Sequence, residues 1–412
     1  MSTAHLRFPC FLGRRIHLGV TGSVAAYKSL ELLRLLKSCH VSVGVTLTPS
    51  AQRFVGADSY LALGAEKVNT AMFGPGSGDD PFVHLAPGQK AEALVIAPAT
   101  ANILAKMAHG LADDLLSTQA LAFRGPVVLA PAMNPAMWSA PATRRNWATL
   151  LERGVRGVGP VCGEVACGDS GEGKLSPVEH ILAECLRALS PKDLQGRTVL
   201  LTMGPTREPW DAVRFLSNSS SGFMGACLAV SAWMRGATVK VVSGPTAFEL
   251  PPGIEVATVA TARQMDEACA DLWPGCDIGC CTAAVCDYRA VPPAGVEPGQ
   301  KLKRRSLAGD LPVITLQENP DVLKGMGQAK RPGQTLIGFA AETGDLLGQA
   351  RLKLEEKNLD LVVANRVDLP GSGFDSPTNS VTVLDRNGRS EQWPELPKPE
   401  VAWRIWDLLR HL

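Results

Sequence analysis

Short, almost unbroken apolar runs recur along the chain, and helical spacing follows several of them. This alternation restricts the fold more than any other feature. In the first half the runs are RIHLGVTG (15–22), VSVGVTLT (41–48), ALVIAPA (93–99) and PVVLAPA (126–132). Such continuity suits parallel strands covered on both faces; a sheet with one wet face would alternate instead. Between the first two lies SVAAYKSLELLRLLKS (23–38), with Tyr27, Leu30, Leu33 and Leu36 on one helical face. Strands alternating with helices predict a doubly wound α/β layout.

The pattern then restarts. After LSPKDLQGR (189–197) a new strand, TVLLTMG (198–204), begins, followed by TVKVVSGP (238–245), CDIGCCTAA (276–284), QTLIGFAAET (334–343) and LDLVVANRV (359–367). A chain of 412 residues exceeds one ordinary core. Two Rossmann-like domains are therefore expected, 1–190 and 191–412, with a linker at about 186–196. The Pro/Gly-rich, basic segment 289–312 reads as a long functional loop.

Bulk composition narrows the function. A net charge of +1 argues against a nucleic-acid or polybasic membrane role. No apolar stretch reaches the length of a membrane span. The first fifteen residues have no long apolar segment of the secretory type, so the eleven cysteines read as free thiols of a cytoplasmic protein.

The chemistry gathers at strand ends. Gly22 and Ser23 join a strand to a helix N-terminus, where free N–H groups and the helix dipole favour an anion. A ligand-free α/β turn would look the same. Thr48 and Ser50 follow the second strand, and Thr100, Ala101 and Asn102 follow a later one, so small polar residues collect at one sheet edge. In APAMNPAMW (130–138), Pro135 ends the strand and leaves Asn134 with a costly amide to satisfy. It is either a turn former or a ligand-holding donor.

TGSVAAYK, APATANILAKMAHGLADDLL, APAMNPAMW and GEVACGDSGEGKL together resemble the homo-oligomeric flavin-containing cysteine decarboxylases over about residues 15–180. The nearest resemblance is to the decarboxylase half of the bifunctional bacterial phosphopantothenoylcysteine decarboxylase/phosphopantothenate–cysteine ligases. It implies a flavodoxin-like domain holding FMN, with the phosphate at Gly22–Ser23, Thr48 nearby, and the ring near Thr100, Ala101, Asn102 and Met133. It also implies that Asn134 holds the substrate carboxylate. His84, in DDPFVHLAP, would handle protons, and Cys167 would protonate the decarboxylated enethiolate from a mobile Gly-rich flap.

TMGPTREPWDAVRFLSNSSSGFMG (202–225), CTAAVCDYR (281–289), KLKR (301–304), NPDVL (319–323), GFAAET (338–343) and KLEEKNLDLVVAN (353–365) resemble the ligase half in the expected order. That family activates 4′-phosphopantothenate with CTP and Mg²⁺ as an acyl-cytidylate, which the amine of cysteine attacks. By match, Ala283, Asp287, Pro320, Asp321, Val322, Leu323, Phe339, Lys353 and Lys357 meet CTP. Asn218 and Arg214 touch the acyl-cytidylate, and Lys301 neutralises charge and also meets CTP. The sequence departs from the family at Pro205, Ser219 and Phe223, and no metal ligands are assigned.

The cluster Lys301, Lys303, Arg304 and Arg305 suits either a loop that closes on polyphosphate or a solvated surface. Cys276, Cys280, Cys281 and Cys286 alternate with apolar residues, as in strand packing rather than a zinc site. Neither half has G-x-G-x-x-G after its first strand, which disfavours a nicotinamide oxidoreductase. Keeping His84, Asn134 and Cys167 together disfavours a flavin-binding regulator without activity. The family's homo-oligomers imply trimeric contacts in the first half, dimeric contacts in the second, and assemblies up to a dodecamer.

Overall fold

The apolar runs of the first half become β1 (Arg15–Val20), β2 (Ser42–Leu47), β4 (Ala93–Ala99) and β5 (Val127–Pro131), joined by short β3 (Lys67–Asn69) and β6 (Arg156–Gly157). They form one parallel sheet of order β3-β2-β1-β4-β5-β6. This is the flavodoxin arrangement with one extra edge strand, β3, outside β2. β4 is buried along its whole length, as its unbroken apolar sequence predicts. A two-stranded antiparallel hairpin, β7 (Val161–Glu164) and β8 (Ser170–Lys174), stands where sequence suggested only a flexible flap. The expected first helix begins as a 3₁₀ turn (Val24–Tyr27) and continues as Lys28–Ser38.

The second half repeats the plan. Its strands are β9 (Thr198–Met203), β10 (Arg207–Pro209), β11 (Phe215–Ser217), β12 (Thr238–Ser243), β13 (Glu255–Thr258) and β14 (Ile278–Cys281). Then come β15 (Tyr288–Val291), β16 (Thr315–Glu318), β17 (Thr335–Glu342), β18 (Leu361–Arg366), β19 (Thr378–Asp385) and β20 (Ser390–Pro397). The main sheet runs β13-β12-β9-β14-β17-β18-β19-β20, parallel as far as β18 and antiparallel beyond it. Both halves are thus doubly wound α/β folds. Helix Phe223–Met234 is buried along almost its whole length. The C-terminal helix Lys398–Leu408 reaches it through Trp406, whose indole donates to Ser231 Oγ at 2.9 Å.

This computed structural model describes residues 3–74, 81–291, 301, 314–342, 346–366 and 376–411. Two compact units emerge, Leu6–Pro191 and Lys192–Leu412, the second taking in the first five residues. Near the start of the chain, the His5 ring packs edge-on to Phe248 at 5.5 Å. No helix among the described residues is long and apolar enough to cross a membrane.

Candidate active sites

In the first unit β1 and β4 lie side by side while their connections depart in opposite directions, which opens a crevice at their carboxyl ends. Thr21 closes the floor of that crevice. Its hydroxyl donates to Pro98 O at 2.7 Å and accepts from Thr100 N at 3.1 Å. Gly22 is required sterically, since a Cβ there would lie 2.3 Å from Ser50 Cβ. That contact presses the loop after β1 against the loop after β2. Ser23 caps the first helical turn by accepting from Ala25 N, and Thr48 accepts from Ala51 N at 3.2 Å. Thr100 is the N-cap of helix Ala101–His109 without spending its side chain on the cap. Gly22, Ser23, Thr48, Thr100, Ala101 and Asn102 therefore follow neighbouring strands at one sheet edge.

The loop after β5 completes the edge. Ala132 N donates to Ala99 O, and Met133 N donates to Gly173 O of the hairpin at 2.9 Å. A Cβ on Gly173 would come within 2.4 Å of Met133 O, so only glycine lets β8 approach this closely. Asn134 caps the short helix Pro135–Ser139, its Oδ1 accepting from Ala136 N at 2.8 Å. The turn reading of Asn134 is met by its oxygen, and the turn does not use its nitrogen. That nitrogen sits 3.3 Å from Cys167 Sγ and donates to Asp169 Oδ2. The Cys167 thiol donates to the same Asp169 oxygen at 3.4 Å.

Asn134 and Cys167 are thus brought together, with Asp169 as a partner that sequence reasoning missed. Its only signal was its place two residues after Cys167. His84 is not joined to them by any hydrogen bond among the described residues; its ring faces Phe82 at 6.4 Å. Its loop is nevertheless fixed, since buried Gln119 donates to Val83 O at 3.0 Å.

The second unit holds a cavity of about 570 Å³ at the carboxyl ends of β9, β14 and β17. Asn218, Ala283, Asp287, Pro320, Asp321, Val322, Leu323, Phe339, Lys353 and Lys357 all line it. The loops are laced together by backbone groups. Asn218 Nδ2 donates to Ala284 O and Val285 O at 3.0 and 3.2 Å. Thr206 Oγ1 accepts from Cys286 N, and Thr206 N donates to Ala284 O. Gly225 seats the buried helix on the sheet, since a Cβ would meet Met203 Cβ at 2.4 Å. This close helix–strand approach opens the crevice to the helix N-terminus.

The charged wall is organised by Asp321, the N-cap of helix Val322–Gln328, which accepts from Lys324 N at 3.0 Å. Lys357 Nζ pairs with Asp321 at 2.7 Å, and Lys353 Nζ donates to Phe339 O at 2.8 Å. Burial alone would raise the Asp321 pKa. Hydrogen bonds from Lys357 and Lys324 N, with the charges of Lys357 and Lys353, hold it below the usual carboxylate range instead.

Two expected residues are not brought into the cavity wall. Arg214 stacks on Trp210 at 4.5 Å and its Nε donates to Asp211 at 3.0 Å, within its own tight turn. Lys301 is exposed and is not part of the lining, while 292–300 and 302–313, including Lys303, Arg304 and Arg305, lie outside the described residues. Lys398, Asn365 and Asn379 line the cavity although sequence reading did not select them. Lys398 is only 3% exposed, with its ammonium 5.9 Å from the Phe223 ring centre. Cys280 is buried, and burial pushes the Cys281 thiol up to about 12, in keeping with packing.

Comparison with known proteins gives the class first. Residues 10–190 match the Flavoprotein family, and residues 194–412 match the DNA/pantothenate metabolism flavoprotein C-terminal domain. The chain is a flavoprotein fused to that second domain. It is 39% identical to the coenzyme A biosynthesis bifunctional protein CoaBC of Vibrio vulnificus, over 93% of this chain and 92% of that protein. The CoaBC protein of Bacillus subtilis is 38% identical over 95% of each chain. Among solved structures, the C-terminal domain of a CoaBC protein is 37% identical, with a TM-score of 0.44, covering 53% of this chain and 97% of that one. The chain belongs to the CoaBC family, the bifunctional enzymes of coenzyme A biosynthesis with ligase and decarboxylase activities.

Proposed function

We propose that residues 191–412 join 4′-phosphopantothenate to cysteine using CTP, and that residues 1–190 decarboxylate the product with FMN to give 4′-phosphopantetheine. In the ligase step the pantothenate carboxylate oxygen bonds to the α-phosphorus of CTP and pyrophosphate leaves. The amine of cysteine then bonds to the acyl carbon, CMP leaves, and the amine proton passes to solvent. Lys353, Lys357, Phe339, Ala283, Asp287 and the backbone from Pro320 to Leu323, all on the cavity wall, would contact CTP, and Asn218 would touch the acyl-cytidylate. Arg214 would touch the acyl-cytidylate, and Lys301 would neutralise charge during amide formation. Mg²⁺ would supply charge neutralisation of the triphosphate; among the described residues no cluster of three His, Cys, Asp or Glu is arranged to hold a metal.

The donors at the edge of the first sheet fit FMN in kind: hydroxyls of Ser23, Thr48 and Thr100, backbone N–H groups at a helix start, and the apolar Met133. FMN supplies the two-electron oxidation of the substrate thiol and its later reversal. The chain's own residues do the rest. Asn134 holds the carboxylate through a neutral donor, which orients the group without making its loss harder. His84 accepts the thiol proton. The carbon–carboxylate bond breaks, CO₂ leaves, the electron pair forms an enethiolate, and Cys167 gives its proton to the carbon.

Exposed Val24, Tyr27 and Phe54 in the first unit and Phe215, Tyr288 and Leu316 in the second support a homo-oligomer; the trimeric contacts of the first half and dimeric contacts of the second follow from the resemblance alone. A cytoplasmic location suits the free cysteines. The reading rests above all on the convergence of Asn218, Ala283, Asp287, Pro320–Leu323, Phe339, Lys353 and Lys357, far apart in sequence, on one cavity. The test is release of CO₂ and 4′-phosphopantetheine from 4′-phosphopantothenate, cysteine and CTP by the purified yellow protein. Turnover with ATP in place of CTP at equal rate, or release of no flavin on denaturation, would count against it.

A further inference from the structure

The amide of Asn134 is held in one orientation, its oxygen committed to Ala136 N. Its nitrogen, the atom available to a ligand, already meets a carboxylate: Asp169 Oδ2, on the turn between β7 and β8. The Cys167 thiol donates to that same oxygen. A carboxylate of the chain itself therefore sits where the substrate's carboxylate would bind, and it bridges the two groups that serve that substrate. Two carboxylates on one amide nitrogen repel each other, and Asp169 is exposed on the turn of the hairpin.

We propose that Asp169 is a resident carboxylate of the decarboxylase site, a positioning and specificity residue that the substrate's carboxylate displaces. The inference rests on the reading of Asn134 given above. Before binding, Asp169 holds Asn134 and Cys167 together and keeps the hairpin docked. When substrate enters, Asp169 yields the amide but stays close enough to disfavour a second anion. Loss of CO₂ removes that anion, so Asp169 penalises substrate and not the neutral end of the product. It then returns to Asn134 as product leaves. The ligand class it acts on is a carboxylate next to a thiol-bearing carbon.

The experiment compares wild type with Asp169→Asn, of equal size, and Asp169→Ser. KM for 4′-phosphopantothenoylcysteine and the inhibition constant of 4′-phosphopantetheine are measured on the full-length protein, with flavin content and melting temperature as controls. Both substitutions are expected to lower KM by on the order of tenfold, the change carried by one charge-assisted hydrogen bond. The product's constant should stay within twofold, and kcat should fall. A KM that is unchanged, or that rises together with the product's constant, makes Asp169 merely a hairpin residue and overturns the inference. So does loss of folding by both variants. A wild-type protein that releases no CO₂ refutes the decarboxylase reading itself, and this inference with it; the two failures are therefore distinct.

Discussion

Asn134→Asp isolates what the amide nitrogen does, because the substitution leaves the turn intact. The Oδ1 that accepts from Ala136 N at 2.8 Å has an equivalent in Asp, and Asp is equally good at a helix N-cap. What changes is the other atom: the donor to Asp169 and to the incoming carboxylate becomes an anion. Two unit charges about 4 Å apart repel by about 4 kcal/mol at an effective dielectric near 20. Solvent at this exposed hairpin lowers that figure to roughly 2–4 kcal/mol, or about 30- to 1,000-fold in kcat/KM for decarboxylation. The full-length variant, given 4′-phosphopantothenate, cysteine and CTP, should stay yellow and accumulate 4′-phosphopantothenoylcysteine. Normal CO₂ release would reduce Asn134 to a turn residue. The double variant Asn134→Asp, Asp169→Asn reverses the polarity of the hairpin contact and should restore docking, read as slower proteolysis at the hairpin. Decarboxylation should remain low, and its recovery would mean that docking alone was the role of Asn134.

Three further outcomes are expected. Lys357→Met leaves Asp321 charged in the cavity without its 2.7 Å partner and should raise KM for CTP by on the order of tenfold or more, with decarboxylation of added intermediate unchanged. Gly22→Ala forces Ser50 away from a Cβ contact of 2.3 Å and should yield pale protein with reduced flavin and intact ligase activity, both measured on one preparation. Asp193 bears on acid stability. Burial alone would raise its carboxyl, but hydrogen bonds and charge from Arg235 and Arg410 take it from the ordinary 3.8 down to about 2. A depressed carboxyl adds stability that is complete above the ordinary value and is lost as pH falls from 3.8 toward 2. Asp193→Asn should therefore destabilise at neutral pH, and its thermal midpoint should converge on that of wild type only near pH 2.

The parts of the fold that announce themselves in the sequence are those where one physical cause acts alone. β4 is buried on both faces, so ALVIAPA could be nothing but a central strand. The cavity residues between Pro320 and Leu323 follow a strand and open a helix capped by Asp321, a local signal with a local cause. Lys398 and Asn379 were invisible because their place in the cavity depends on pairing far along the chain. The antiparallel hairpin of β19 and β20 matches Thr378 with Pro397 and thereby carries the start of the last helix back to Phe223. The local setting of Arg214 was hidden for the opposite reason: Asp211, three residues earlier, offers a near partner, and the guanidinium takes it. Asp169 combines both lessons. It lies beside Cys167 in sequence, where its charge reads as ordinary loop polarity, and only the approach of β8 to Met133, permitted by Gly173, turns that carboxylate toward Asn134. The site is thus assembled by a glycine that has no chemistry of its own. Gly173→Ala should accordingly separate the hairpin from Asn134, loosen the Asn134–Asp169 contact and lower decarboxylation without touching any residue that meets the substrate. An active variant with wild-type kinetics would show that the hairpin's close approach is not what builds the site.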